Sequence, residues 1–155
     1  MRRFVVGQLG IYRGREILCS TLTIPLTRRD IEEATLRAFV RRERGDRYTA
    51  LLKSRKRRGK LLSELHHFYD FDGRCIIHLE RAEDSPRTLY NLLRKLGAPE
   101  TCYVISAGRL DGEELDLAEA VTELHATGMG AIVSCVPGRL AYYEGEDDRF
   151  ILYRN

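Results

Sequence analysis

Apolar residues recur along this chain with two different periods, and the alternation between them outlines its elements. Around residues 74–80, Cys75, Ile76, Ile77 and Leu79 form a short apolar run that reads as a strand. Ser85-Pro86 follows, a helix N-cap with proline at the first helical position. Leu89, Leu92, Leu93 and Leu96 then stand at i, i+3, i+4 and i+7, one apolar stripe of an amphipathic helix. Arg94 and Lys95 suit the negative end of that helix, and Gly97 supplies its stop. Residues 101–106 read as the next strand.

The same alternation follows once more. A polar loop over 107–112 leads to a predicted helix over 113–127, with Leu117, Ala120, Val121 and Leu124 as its stripe and Gly128 beyond its end. Residues 131–136 are a third strand. Strand–helix–strand–helix–strand with short connections predicts right-handed crossovers and a three-stranded parallel βαβαβ core. The C-terminus changes style. Pro137-Gly138 marks a turn, 139–144 a strand, 145–148 an acidic turn and 150–153 a last strand, an antiparallel meander. Tyr142 and Tyr143 place one ring on each face, one expected in the core and one on the surface.

The N-terminal part has weaker periodicity. Residues 4–12 and 16–24 read as two strands of a hairpin around Arg13-Gly14. Thr27 with Asp30 forms a capping-box pattern. The helix it opens carries Ile31, Ala34, Leu36, Phe39 and Val40 and is expected to end near Gly45. Residues 48–71 fit two short helices flanking 53–60, or a hairpin with 53–60 at its tip. Helices are favoured because Ala, Leu, Lys and Arg dominate. The predicted class is α/β, with α+β as the variant. We expect a single domain over 1–155, its basic hairpin and helices in 1–60 and its acidic βαβαβββ part in 61–155.

Charge sharpens this division. Residues 1–60 carry seventeen Lys and Arg against six Asp and Glu, and residues 61–155 carry nine against seventeen. The net values, +11 and −8, are hidden in the whole-chain +3. The densest segment is Lys53-Ser54-Arg55-Lys56-Arg57-Arg58-Gly59-Lys60. Such a run repels itself unless anions neutralise it, and phosphates do so with release of counterions. Arg37, Arg41 and Arg44, at i, i+4 and i+7, are expected to share one helix face. Aromatics are few here, so phosphate contact fits better than base stacking. The leading expectation is a cytoplasmic nucleic-acid-binding module that holds the DNA or RNA phosphate backbone. Its candidate contacts are Arg41, Arg44, Lys53, Arg55, Lys56, Arg57, Arg58 and Lys60. The alternative is a protein-interaction or dimerisation module, with an acidic protein or a second copy as partner of the same surface.

Motifs for chemistry are sparse, and a non-enzymatic module is favoured. Neither G-x-G-x-x-G nor a P-loop occurs, and no cofactor is predicted. Both helices of the second half open with acids, which occupy the ends where a phosphate would sit. Glu80, Glu83, Asp84 and Asp111 on one sheet edge would instead suit Mg²⁺ or Mn²⁺, which makes a metal-dependent nuclease the second alternative. His66, His67, Asp70, Asp72, Cys75 and His78 are the densest ligand-type group, yet Cys75 and His78 fall on opposite faces of a strand. No metal site is assigned. Cys19, Cys75, Cys102 and Cys135 each sit in an apolar run and read as reduced core cysteines. No apolar run is long enough to span a membrane, and no signal peptide is predicted.

Overall fold

The computed structural model describes residues 25–155, so the expected hairpin over 4–24 lies outside the described residues. Among the described residues six strands form one sheet. They are β1 (Ile76–His78), β2 (Thr101–Ser106), β3 (Glu114–Asp116), β4 (Ala131–Val136), β5 (Leu140–Glu144) and β6 (Arg149–Tyr153). Their order is β1-β6-β5-β4-β2-β3, and every neighbouring pair is antiparallel.

The expected parallel βαβαβ core is therefore wrong, for two reasons. The first is β3. Residues 113–116 were expected to open a helix, but Glu114–Asp116 pair with β2, Thr101 opposite Asp116 and Tyr103 opposite Glu114. This returns the chain to the start of β2. The helix that follows carries it to the other end again, and β4 comes back antiparallel to β2, Tyr103 opposite Ser134. The second is strand order. β1 and β2 point the same way but are not neighbours, because β4, β5 and β6 lie between them. The meander at 139–153 matches its expectation and forms the middle of the sheet, not an extension of it.

Among the described residues five α-helices cover both faces. α1 (Arg28–Phe39), α2 (Arg42–Lys53) and α3 (Arg55–Glu64) pack on one side, where Leu36, Phe39, Leu61 and Leu65 meet Ile105, Ile132, Tyr143 and Leu152. α4 (Pro86–Lys95) and α5 (Leu117–Leu124) pack on the other, where Leu89, Leu93 and Val121 meet Val104, Val133, Tyr142 and Ile151. Covering both faces explains the continuous apolar runs that a parallel sheet would also require. It also corrects the tyrosines, because Tyr142 and Tyr143 are both buried, one under each helical layer.

Local signals account for the starts of α1, α4 and α5. Thr27 and Asp30 form the full capping box of α1. Ser85 caps α4 with Pro86 at its start, and Gly97 follows with φ +100°. α5 is shorter than expected, since its first residues went to β3 and Asp116 caps it by accepting from Ala118 and Glu119 N–H. The helix expected to reach Gly45 breaks at Val40, which is extended and bridges Phe71. Arg41 N–H donates to Asp70 O in the same crossing. α2 begins anew after this break, and a single extended residue, Ser54, separates it from α3. Arg37, Arg41 and Arg44 are thus split between two helices and do not form a stripe.

Candidate anion-binding surface

α3 divides the basic segment into an inner and an outer part. Arg58, Leu61, Leu62 and Leu65 follow a helical period and mark the face turned toward the protein. Arg58 donates to both oxygens of Glu32 at 2.8 and 2.7 Å and to both oxygens of Asp111 at 2.9 and 3.0 Å. Tyr103 OH donates to Glu32 at 2.6 Å, and Ser106 N–H donates to Asp111 at 3.1 Å. Burial opposes charge on the guanidinium, but the two carboxylates outweigh it and raise the Arg58 pKa. This cation joins α1, α3 and the loop after β2, and it is consumed in doing so.

The outer part is different. Arg55, Lys56, Arg57 and Lys60 are exposed and make no ion pair among the described residues. The first turn of α3 holds Arg55, Lys56 and Arg57, no acid, and no side-chain cap from Ser54. Cations there oppose the positive end of the helix dipole. Lys56 and Lys60, one turn apart, point away from the Arg58 face.

The remaining predicted contacts scatter. Lys53, at the end of α2, lies 3.2 Å from Glu33. Arg41 precedes α2, and its Nε–H donates to Phe71 O. Arg44 is exposed on α2. Most pairing of the basic helices is internal, as with Arg37 on Glu33 and Asp46. Among the described residues, Arg47–Glu64 and Arg58–Asp111 are the pairs that reach the acidic second half. That half therefore does not mask the outer cations of α3.

The acids and histidines take separate partners. Glu83 accepts from Glu80 N–H, Asp84 takes His125 Nε2–H at 2.9 Å and Arg149 at 3.1 Å, and Asp111 takes Arg58. Glu80, Glu83, Asp84 and Asp111 do not form one ligand set. Among the described residues no group of three or more His, Cys, Asp or Glu is arranged to hold a metal ion. His66 Nδ1–H donates to Gly128 O, His67 sits by Glu146 and Asp147, and His78 packs edge-on against Phe150. Cys75, Cys102 and Cys135 are buried free thiols, and burial pushes the Cys102 thiol up to about 12.

A basic cleft joins residues that lie far apart in the sequence. The start of α2, the turn before β1 and the residues after β6 enclose a cavity of about 500 Å³. Arg37, Arg42, Arg74 and Arg154 line it with Asp46 and Asp72. Two of these arginines come from the acidic half of the chain. The pairing of β1 with β6 sets them side by side, and the Val40–Phe71 bridge brings them to Arg37 and Arg42, which no residue pattern announces.

No protein-family model matches this chain, and comparison with curated proteins and solved structures likewise finds no match. No helix of the described residues is long and apolar enough to cross a membrane.

Proposed function

We propose that this protein is a cytoplasmic nucleic-acid-binding module that contacts DNA or RNA phosphates through the outer face of α3. The observation that carries this reading is the first turn of α3, with three cations, no acid and no side-chain cap at the positive end of a helix. Among the described residues local structure supplies no compensation there, and phosphate oxygens would supply it. Arg55, Lys56, Arg57 and Lys60 are the principal contacts. Arg41, Arg44 and Lys53 lie on the neighbouring helix α2 or its start and extend the positive field. Arg58 anchors the helix that presents them and touches no phosphate. Phosphate contact of this kind positions a nucleic acid without reading its bases.

Fluorescence anisotropy with a 5′-hydroxyl oligonucleotide tests the proposal. Binding should weaken with salt, with a slope of about 0.9 per phosphate contacted on a duplex. Replacing Arg55, Lys56, Arg57 and Lys60 by Ala should weaken binding on every sequence and flatten that slope. An unchanged affinity in this variant, or no binding at low salt, overturns it. Capture of polyglutamate with equal salt dependence and no oligonucleotide binding would favour an acidic protein partner instead.

A further inference from the structure

The cleft beside α2 shares no residue with the outer face of α3, and its chemistry is more specific. Four guanidinium groups line it against two carboxylates, a local surplus of positive charge in a concave space. Asp72 is largely buried and organises one side. Arg74 donates Nε–H and NH2 to its two oxygens at 3.0 and 2.7 Å, and Arg154 donates NH2 at 3.3 Å. Arg154 is held a second time, its Nε–H donating to Ala38 O. These bonds orient two solvent-facing planar forks, while the NH1 group of each carries no hydrogen bond among the described residues. On the opposite side Arg37 is held by Glu33 and Asp46, and Arg42 has no acidic partner among the described residues. Arg74 hydrogen bonding also keeps the Asp72 carboxyl low, at about 2, so Asp72 stays an acceptor that orients both arginines.

We propose that this cleft is a binding site for a compact phosphate group, a diphosphate or a phosphate monoester, gripped by Arg42, Arg74 and Arg154 with Arg37 at its rim. Planar forks match phosphate oxygens two at a time, and forks held in advance lose less entropy on binding. A volume near 500 Å³ exceeds one phosphate and falls in the range of small-ligand sites. The phosphate could arrive on a free metabolite or as the terminal phosphate of a nucleic acid, since both present the same dianion.

Isothermal titration of the full chain with pyrophosphate tests the site. Saturable one-to-one binding is expected. It should weaken roughly tenfold for each guanidinium removed in Arg42→Ala and Arg74→Ala. Both side chains are exposed, and a thermal melt verifies folding. Asp46→Asn removes an opposing charge from the rim and should tighten binding several-fold. Absence of saturable binding overturns the proposal, as does equal affinity in the arginine variants or no gain in Asp46→Asn. A second arm compares 5′-phosphorylated and 5′-hydroxyl oligonucleotides. A gain with the 5′-phosphate, competed by pyrophosphate, assigns the site to a nucleic-acid end. Pyrophosphate binding without that gain assigns it to a free ligand. The variant lacking the four α3 cations should bind pyrophosphate as the parent does, so failure of the α3 reading and failure of this site are separable.

Discussion

Arg58 of α3 holds Glu32 of α1 through both terminal nitrogens, at 2.8 and 2.7 Å, and Glu32 is only 6% exposed. A carboxylate that deep needs a partner, and Arg58 is the cation the fold supplies. The most cationic segment of the chain therefore spends one charge on architecture and leaves its neighbours facing outward. Arg58→Met should destabilise the fold by about 2–3 kcal/mol, below the range for fully buried pairs because the guanidinium keeps some solvent. Pairing it with Glu32→Gln should recover part of the loss, since the orphaned charge is gone. Urea unfolding of both single variants and the double variant measures the coupling. Additive effects would show that the two side chains do not act as a pair.

Glu144 poses a related problem with no ion pair among the described residues, since Arg149 opposite it turns to Asp84. It is fully buried, and Tyr142 OH donates to it, as does Gly128 N–H at 3.4 Å. Tyr142→Phe removes this donor and leaves a buried carboxyl group nearly unpartnered. A loss of about 1–3 kcal/mol is expected, with Glu144→Gln in the same background restoring some of it. Chemical unfolding reads both, and a neutral Tyr142→Phe would show that another group satisfies Glu144.

These contacts mark where sequence legibility ends. Strands 101–106 and 131–136, the Thr27 box and the Ser85-Pro86 start all follow from short-range patterns, and each is found where the pattern placed it. Strand direction turns on Glu114-Leu115-Asp116, an edge strand with one apolar residue and two exposed acids. Three such residues look the same as the acidic first turn of a helix. The basic surface divides in the same way. Charge density in 53–60 was visible, but which cations face out depends on breaks at Val40 and Ser54 that reset the helical phase. Arg74 and Arg154 could not be grouped with Arg37 and Arg42 without knowing that β1 pairs with β6 and that Val40 bridges Phe71.

Asp72 ties the C-terminal strand region to the turn before β1, and its ionisation should appear in acid stability. Hydrogen bonds from Arg74 hold its pKa at about 2, below the usual aspartate range. A carboxyl lowered in the folded state stabilises the fold above its unfolded pKa. That contribution is lost as pH falls from about 4 through 2. Thermal melts between pH 5 and about 2 should therefore fall less steeply in Asp72→Asn than in the parent. Parallel curves would show that Asp72 ionises alike in both states.

Thiol reactivity checks the burial of the sheet cysteines. Cys102 and Cys135 lie on the strands beneath α4 and α5, and burial raises both thiols, Cys102 to about 12. The thiolate is the reactive species, so almost none is present at neutral pH. In a Cys19→Ser chain, an aromatic disulfide reagent should label Cys75, Cys102 and Cys135 only as denaturant unfolds the protein. Rapid labelling of Cys102 in native buffer would mean that the edge of the sheet opens on the timescale of the reaction.

Two glycines should respond to alanine with opposite signs. Gly130 has φ +21°, and a Cβ there would lie 2.5 Å from His66 N and 2.6 Å from Leu65 C. Both are backbone atoms of the tight turn that follows α3, so neither can step aside alone. Gly130→Ala should cost about 3 kcal/mol as β4 is pushed from that turn. Gly59 lies inside α3, exposed, with open space where a Cβ would go. Gly59→Ala should stabilise the fold by about 0.5–1 kcal/mol, mostly by restricting the unfolded chain. It also leaves the outer cations of α3 in place and makes their helix stiffer. Oligonucleotide affinity should therefore hold or rise in Gly59→Ala. A marked loss with the fold intact would mean that bound phosphate needs the backbone of α3 closer than a methyl group allows.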